Sequence, residues 1–262
     1  MAAQSKYAHR KQGRKPPNMG KRIVVAIEVL LGFAFVGAIG YYFYQYTVVS
    51  DKFQVKQVEI EGLRTLSEDA ILEASGLIDD GNVLYLDVGA VVESVEALAY
   101  VKSCDVKQVF PDTVVISIEE RIPHLTLQLN SRAYAIDESG VVLHEYGPVE
   151  ETLLPFITNV GGVEFVEPGE ALGAEGLDAA LEVWETFRAL PMAEGLHVSE
   201  LAAYSGDEVL MYCDELVFEI RWGQGDIAKQ GKRLGVIWDQ QNGAIPCGEY
   251  LDLRFGEDLI CK

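Results

Sequence analysis

The hydrophobic positions of this chain change their spacing several times, and each change marks a different element. The first pattern is unbroken: "IVVAIEVLLGFAFVGAIGYYFYQY", residues 23–46, runs for 24 residues with one charge, Glu28. As a helix rising about 1.5 Å per residue it would extend roughly 36 Å, more than the ~30 Å hydrocarbon core of a bilayer. It reads as a transmembrane helix over 23–47, with Tyr41, Tyr42, Tyr44 and Tyr46 as an aromatic belt at its far end. A buried helix or a cleaved signal peptide would be the alternatives. The run is too long for a signal core, and no A-x-A-like cleavage site follows it.

Beyond the span the period falls to two, rises to 3.6 and falls again. "FQVKQVEIEG" alternates at Val58 and Ile60 and stops at Gly62, a strand. "TLSEDAILEASG" offers Thr65 as helix cap with Glu68 three residues on, and Gly76 as the stop. After a loop, Asp87 can cap a second helix with Val88, Val91, Val92, Val95, Leu98 and Ala99 on one face. "YVKSCDVKQVF" then sets Cys104 and Val106 against Asp105 and Lys107. Pro111 and Asp112 turn the chain, and Val114, Ile116 and Ile118 return along another strand. The order β-α-α-β-β over 53–122 predicts one small helix-backed sheet, closed by Pro123, which has no N–H for a ladder.

From 123 to 262 the chain reads mainly as strands: "HLTLQLN", "AYAID", "VVLHE", "EVLMYC", "LVFEIRW" and "YLDLRF". Two stretches carry helical spacing, 177–190 and 226–240. The fold class expected is α+β: an N-terminal span, a β-α-α-β-β domain, and a β-rich domain with two helices.

Charge adds a direction to this plan. The first 22 residues, read as a basic cytoplasmic tail, hold seven Lys or Arg and no acid, so the positive-inside bias places the N-terminus in the cytoplasm and the rest outside. That exported part keeps 14 of the 21 basic and 40 of the 41 acidic residues, a net charge of −26. Such a surface repels nucleic acid and anionic lipid. The four cysteines, Cys104, Cys213, Cys247 and Cys261, form no C-x-x-C pair; the last three leave two readings open, free buried thiols or one disulfide among them.

Candidate chemistry is sparse. "FEIRWGQGDIAKQG" formally fits a dinucleotide fingerprint at Gly223, Gly225 and Ala228, but Asp226 would put a negative charge where the pyrophosphate must sit. His9, His124, His144 and His197 are scattered singly, and no nucleophile elbow, P-loop or H-E-x-x-H occurs. Glu119, Glu120 and Arg121 read as a strand end that hands over to the next domain. No metal, cofactor or small-molecule substrate is expected.

The stretches "VEIEGLRTLSEDAIL", "LAYVKSCDVKQVFPDTVVISIEERIPH" and "AYAIDESGVVLHE", behind a basic tail and one span, resemble the bacterial FtsQ/DivIB cell-division family. The middle stretch is similar to the family's POTRA signature, with Pro111 and Thr113 at its turn and Glu120, Arg121 and Pro123 at its strand end; "EYLDLRF" is similar to the family's last core strand. The resemblance implies a non-enzymatic scaffold in the cytoplasmic membrane at the division septum. It would hold FtsL-like and FtsB/DivIC-like partners and, through them, position septal peptidoglycan synthases. Strand addition at an exposed sheet edge is the binding mode expected, with Tyr250, Leu251, Asp252, Leu253, Arg254 and Phe255 as the candidate edge. A POTRA-bearing outer-membrane assembly factor and a membrane-anchored exported hydrolase are the rivals. The first needs a β-barrel and the second a catalytic constellation, and the sequence shows neither.

Overall fold

The structure, a computed structural model, describes residues 19–77, 81–148, 152–223, 225–256 and 258–262. Most of the basic tail therefore lies outside the described residues. The apolar run forms α1 (Met19–Tyr44), which continues through a π-helical turn, Gln45–Val49. Its residues are exposed all round, and the stretch 20–49 is long and apolar enough to cross a membrane. A helix apolar on every side belongs either inside a protein core or inside a membrane, and none of the apolar window of this one is buried by the rest of the chain.

The next unit is a three-stranded sheet backed by two helices. Its strands are β1 (Gln57–Glu61), β2 (Val101–Val109) and β3 (Thr113–Glu120), in the order β1-β3-β2, with β1 parallel and β2 antiparallel to β3. Helices α2 (Glu68–Ser75) and α3 (Val88–Glu96) supply Ile71, Val91 and Val95 to a core completed by Val106, Val114, Ile116 and Ile118. Asp87 caps α3, and Gly76 ends α2 in the left-handed region at φ 65°. The cap of α2 is Ser67 rather than Thr65, because Thr65 spends its N–H on the Glu120 carboxylate and lies outside the helix. The middle strand β3 is eight residues long, so this unit separates its two ends by about 26 Å at ~3.3 Å per residue.

The second unit is a nine-stranded mixed sheet. Along the chain come β4 (Leu125–Leu129), β5 (Arg132–Ile136), β6 (Val142–Glu145), β7 (Phe156–Thr158), β8 (Val198–Ser205), β9 (Glu208–Cys213), β10 (Glu219–Trp222), β11 (Tyr250–Asp252) and β12 (Ile260–Cys261). Their order across the sheet is β12-β11-β10-β9-β8-β7-β4-β5-β6. Helices α4 (Glu175–Arg188) and α5 (Ile227–Gln240) cover one face, where Leu177, Phe187 and Leu234 pack on Leu201, Met211, Trp222 and Leu251. Close approach depends on glycine: a Cβ on Gly231 of α5 would lie 2.4 Å from the Thr186 methyl of α4. The alternation that buries Ile220 and Trp222 turns Glu219 and Arg221 to the other, open face. With a three-stranded and a nine-stranded sheet, both helix-backed, the molecule is α+β.

Three strands go beyond those the pattern predicts: β7, β8 and β12. β8 lies at the sheet centre, yet two register shifts and the run Leu201, Ala202, Ala203, all buried, erase its alternation. β7 and β12 span three and two residues, too short to show a period.

Candidate partner interface

Two places bring together the residues singled out by sequence: the junction between the two units and the C-terminal edge of the large sheet. At the junction, Thr113 opens β3 directly after the Pro111 turn, and Glu120 closes it. Glu120 is 7% exposed and its carboxylate accepts the backbone N–H groups of Arg64 (2.8 Å), Thr65 (2.8 Å) and Leu66 (3.1 Å). Burial alone would raise its pKa, but these donors hold the carboxyl below its ordinary value. Glu120 thus staples the loop between β1 and α2, and its oxygens face their own backbone donors.

Arg121 points the other way. Its Nη1 donates to Asp137 at 2.7 Å, just beyond the end of β5, while its backbone N–H bonds Tyr100 O at 2.8 Å. Asp137 is 2% exposed and also accepts from the N–H groups of Ser139 and Val141, both at 2.9 Å. Burial works against its ionisation, but the Arg121 guanidinium and these N–H groups keep the carboxyl below the usual range. Tyr100 Oη and His144 Nδ1, 2.7 Å apart, add a second tie between the units, and Lys102 bridges Glu119 and Glu138, at 3.2 Å each. Pro123 lies in the extended segment between β3 and β4. The small cavity of about 80 Å³ lined by Glu120, Arg121, His124 and Asp137 is accordingly a joint between two cores. Among the described residues no group of three His, Cys, Asp or Glu is placed to hold a metal ion.

The C-terminal edge requires a correction. The segment 250–255 is a strand only over Tyr250–Asp252, and it is not the outermost one, because β12 pairs on its far side through Leu251 with Cys261 and Asp252 with Ile260. A disulfide between Cys247 and Cys261 ties β12 down, which resolves the cysteine alternatives; Cys213 is a buried free thiol whose pKa burial pushes up to about 12. Tyr250 and Lys262 exchange N–H···O bonds in both directions, at 3.1 and 3.4 Å. In an antiparallel ladder the neighbouring pair, Leu251 and Cys261, is then the non-bonded one, so the Cys261 N–H and C=O point outward.

The faces of this segment also differ from simple alternation. Alternation would set Leu251 and Leu253 on the helix side and Tyr250, Asp252 and Arg254 on the solvent face; both leucines are buried, but Asp252 is 2% exposed. It is covered by Arg254, which donates to it from its backbone N and Nε (3.0 Å each) and Nη2 (2.7 Å) and reaches Glu208 at 3.1 Å through Nη1. Burial opposes the ionisation of Asp252, and the Arg254 donors overcome it, leaving the carboxyl depressed. Beside it the Arg221 guanidinium lies 3.9 Å from the Tyr250 ring centre, and Tyr212 donates to Glu219 at 2.9 Å. Phe255, 49% exposed, projects from the end of this row. Neither β12 nor the cluster of Arg221, Glu219 and Tyr212 is among the elements and residues expected from the sequence; Cys261, next to last in "DLICK", is the available signal for the first.

The nucleotide-like turn is closed. Gly223, at φ 127°, stands where a Cβ would collide with Asp207 O, and Gln230 of α5 bonds both its N–H and its carbonyl. The Asp226 carboxylate occupies the helix N-terminus, accepting Lys229 N–H at 2.9 Å. The β10-α5-β11 unit is a parallel crossover whose turn is spent on packing.

The small β-α-α-β-β unit that hands on to the large sheet falls in the class of POTRA domains. Residues 53–121 match the family model "POTRA domain, FtsQ-type", and residues 126–254 match "Cell division protein FtsQ/DivIB, C-terminal". The chain belongs to the FtsQ/DivIB family of cell-division proteins. It is 26% identical over 233 residues to the cell division protein FtsQ of Syntrophotalea carbinolica, covering 89% of this chain and 82% of that one. With FtsQ of Geotalea daltonii it shares 23% over 252 residues, 95% and 90% of the two chains. With FtsQ of Caulobacter vibrioides it shares 35% over 115 residues, 44% and 38% of the two chains.

Proposed function

We propose that this chain is a non-enzymatic scaffold of the division septum. Its N-terminus lies in the cytoplasm, α1 spans the cytoplasmic membrane, and the two folded units stand outside. There it holds FtsL-like and FtsB/DivIC-like proteins and through them positions septal peptidoglycan synthases. Membership of a division-protein family supports the setting, and the single apolar helix after seven basic residues supports the anchoring.

The observation that carries the binding mode is the outward-facing backbone of Cys261 on a two-residue edge strand. A partner strand adds there, with main-chain hydrogen bonds supplying affinity, while Tyr250, Arg254 and Phe255 supply side-chain contacts at the rim and Leu251, Asp252 and Leu253 hold the strand beneath. The partner strand lies outside β12 rather than directly on 250–255, because β12 already pairs with that side of β11. The test is amide hydrogen exchange on the exported part with and without an FtsB-like segment. The Cys261 amide exchanges freely alone and becomes protected in the complex. Binding without protection of that amide would exclude strand addition at this edge.

A further inference from the structure

The end of the POTRA unit that faces α1 carries exposed apolar side chains that its own fold does not use: Leu84 at 37%, Tyr85 at 59%, Val109 at 48% and Phe110 at 57% exposure. They come from two separate loops that the registers bring to one end. β1 starts opposite the start of β3, with Gln57 paired to Thr113, so the chain leaving the span enters the sheet at the 109–112 turn. The loop after α2 meets the same end: Val83 N–H bonds Phe53 O at 2.8 Å, and Gln108 Nε2 bonds Val83 O at 2.6 Å.

This end is also bonded directly to the helix that emerges from the apolar run. Thr47, 5% exposed, shares a hydrogen bond with Tyr85 Oη at 3.1 Å, and its carbonyl accepts from Asn82 Nδ2 at 2.8 Å. The depth of Thr47 follows from helix geometry. Counting from Ile23, next to Lys21 and Arg22, a ~30 Å hydrocarbon core is filled by about 20 residues, ending near Tyr42. The headgroup layer adds about 5 to 8 Å, or roughly 4 to 5 residues of helix, which reaches Thr47. Tyr85, bonded to Thr47, is then at headgroup depth, where tyrosine and phenylalanine are favoured because the ring is apolar and the surroundings are half wet. The charges at this end suit that position: Asp112 is paired with Lys56 at 3.3 Å, and Lys52 donates to Tyr46 Oη at 2.8 Å.

We propose that the Leu84–Tyr85 loop and the Val109–Phe110 turn rest in the outer headgroup layer of the membrane that α1 crosses. The lipid surface then clamps the POTRA unit at a fixed depth and tilt. This rests on α1 being a span. Four side chains bury a modest apolar area, too little to anchor a free protein but enough to orient one already tethered, since the span has removed the cost of reaching the surface. The consequence is mechanical: β3 stands on the membrane and carries the partner-binding sheet at its far end, so the distance from bilayer to partner edge is set by strand length rather than by a flexible linker.

The test uses the full chain alone in phosphatidylcholine vesicles whose lipids are brominated near the top of the acyl chains. Four variants each add one tryptophan at an exposed position: Leu84→Trp, Phe110→Trp, Tyr42→Trp in the span, and Val217→Trp, 84% exposed in the large domain. The emission of each added tryptophan is read as the difference from the parent protein. The expected result is that Leu84→Trp and Phe110→Trp lose as large a share of their added emission as Tyr42→Trp does, while Val217→Trp loses none. If either tip tryptophan behaves like Val217→Trp while Tyr42→Trp is quenched, the membrane contact is refuted and the patch faces water or another protein. If Tyr42→Trp is unquenched too, the spanning helix itself is refuted and the proposal falls with it.

Discussion

Breaking the Arg121–Asp137 pair tests the idea that the two folded units share one energetic joint. The pair is 2.7 Å long, with Asp137 side-chain exposure of 4% and Arg121 of 20%. Orphaning a buried ion costs roughly 3 to 5 kcal/mol in general. Arg121→Ala should fall at or below the low end, about 2 to 3 kcal/mol, because Asp137 keeps two backbone N–H donors and the Ser139 hydroxyl. Asp137→Asn keeps the shape and loses the charge, and the double variant should cost less than the sum of the two, with a coupling of about 1 to 3 kcal/mol. The assay is urea unfolding of residues 53–262 for the four proteins at pH 7 and again at pH 3. The sign of the pH effect follows from the depressed carboxyl of Asp137. Its contribution is fully present above the unfolded aspartate value of about 3.9 and is lost as pH falls through the lower folded value, so the coupling should shrink at pH 3. A coupling below about 0.5 kcal/mol at pH 7 would show that the two units merely touch here.

Glu120→Ala should destabilise the POTRA unit by about 2 to 3 kcal/mol in the same denaturant assay, because three backbone N–H groups lose their acceptor; a cost under about 0.5 kcal/mol would contradict the stapling role. Gly231→Ala should cost about 1 to 2 kcal/mol by forcing α4 and α5 apart, and Thr186→Ser, which deletes the clashing methyl, should restore stability; failure of that rescue in thermal unfolding would move the cause elsewhere. Cys247→Ser with Cys261→Ser opens a loop of sequence separation 14 and should lower stability by about 3 kcal/mol in the chain-entropy view, releasing β12 first. Early, selective exchange of the Tyr250 and Asp252 amides would report that release, and unchanged exchange there would refute it.

Local chemistry decided the elements whose signals are contained in a few neighbouring residues. The unbroken apolar run of α1, the Asp87 cap, the Gly76 stop and the period-two stretch Val114, Ile116, Ile118 each state their own geometry, because helix and strand repeats are properties of consecutive positions. The α+β class followed from such signals, whereas the family resemblance rested on particular stretches, above all the Pro111 and Thr113 turn and the Glu120, Arg121 and Pro123 strand end. What the sequence could not state is who pairs with whom. Glu120 finds its donors at 64–66 and Arg121 finds Asp137, contacts separated by 54 to 56 and by 16 residues, so only the folded backbone makes an acidic and a basic neighbour face opposite ways. Asp252 occupies a position that alternation assigns to solvent, and it is buried because Arg254, two residues on, folds back over it. The sheet edge passed from 250–255 to two residues beyond for the same reason. A two-residue strand has no period to read, and it exists because the ladder to Tyr250 and the bond from Cys261 to Cys247 hold it there. Periodicity specifies elements, whereas edges, joints and buried charges belong to the contacts between them, and those arise only when distant segments compete for the same donors and the same surface.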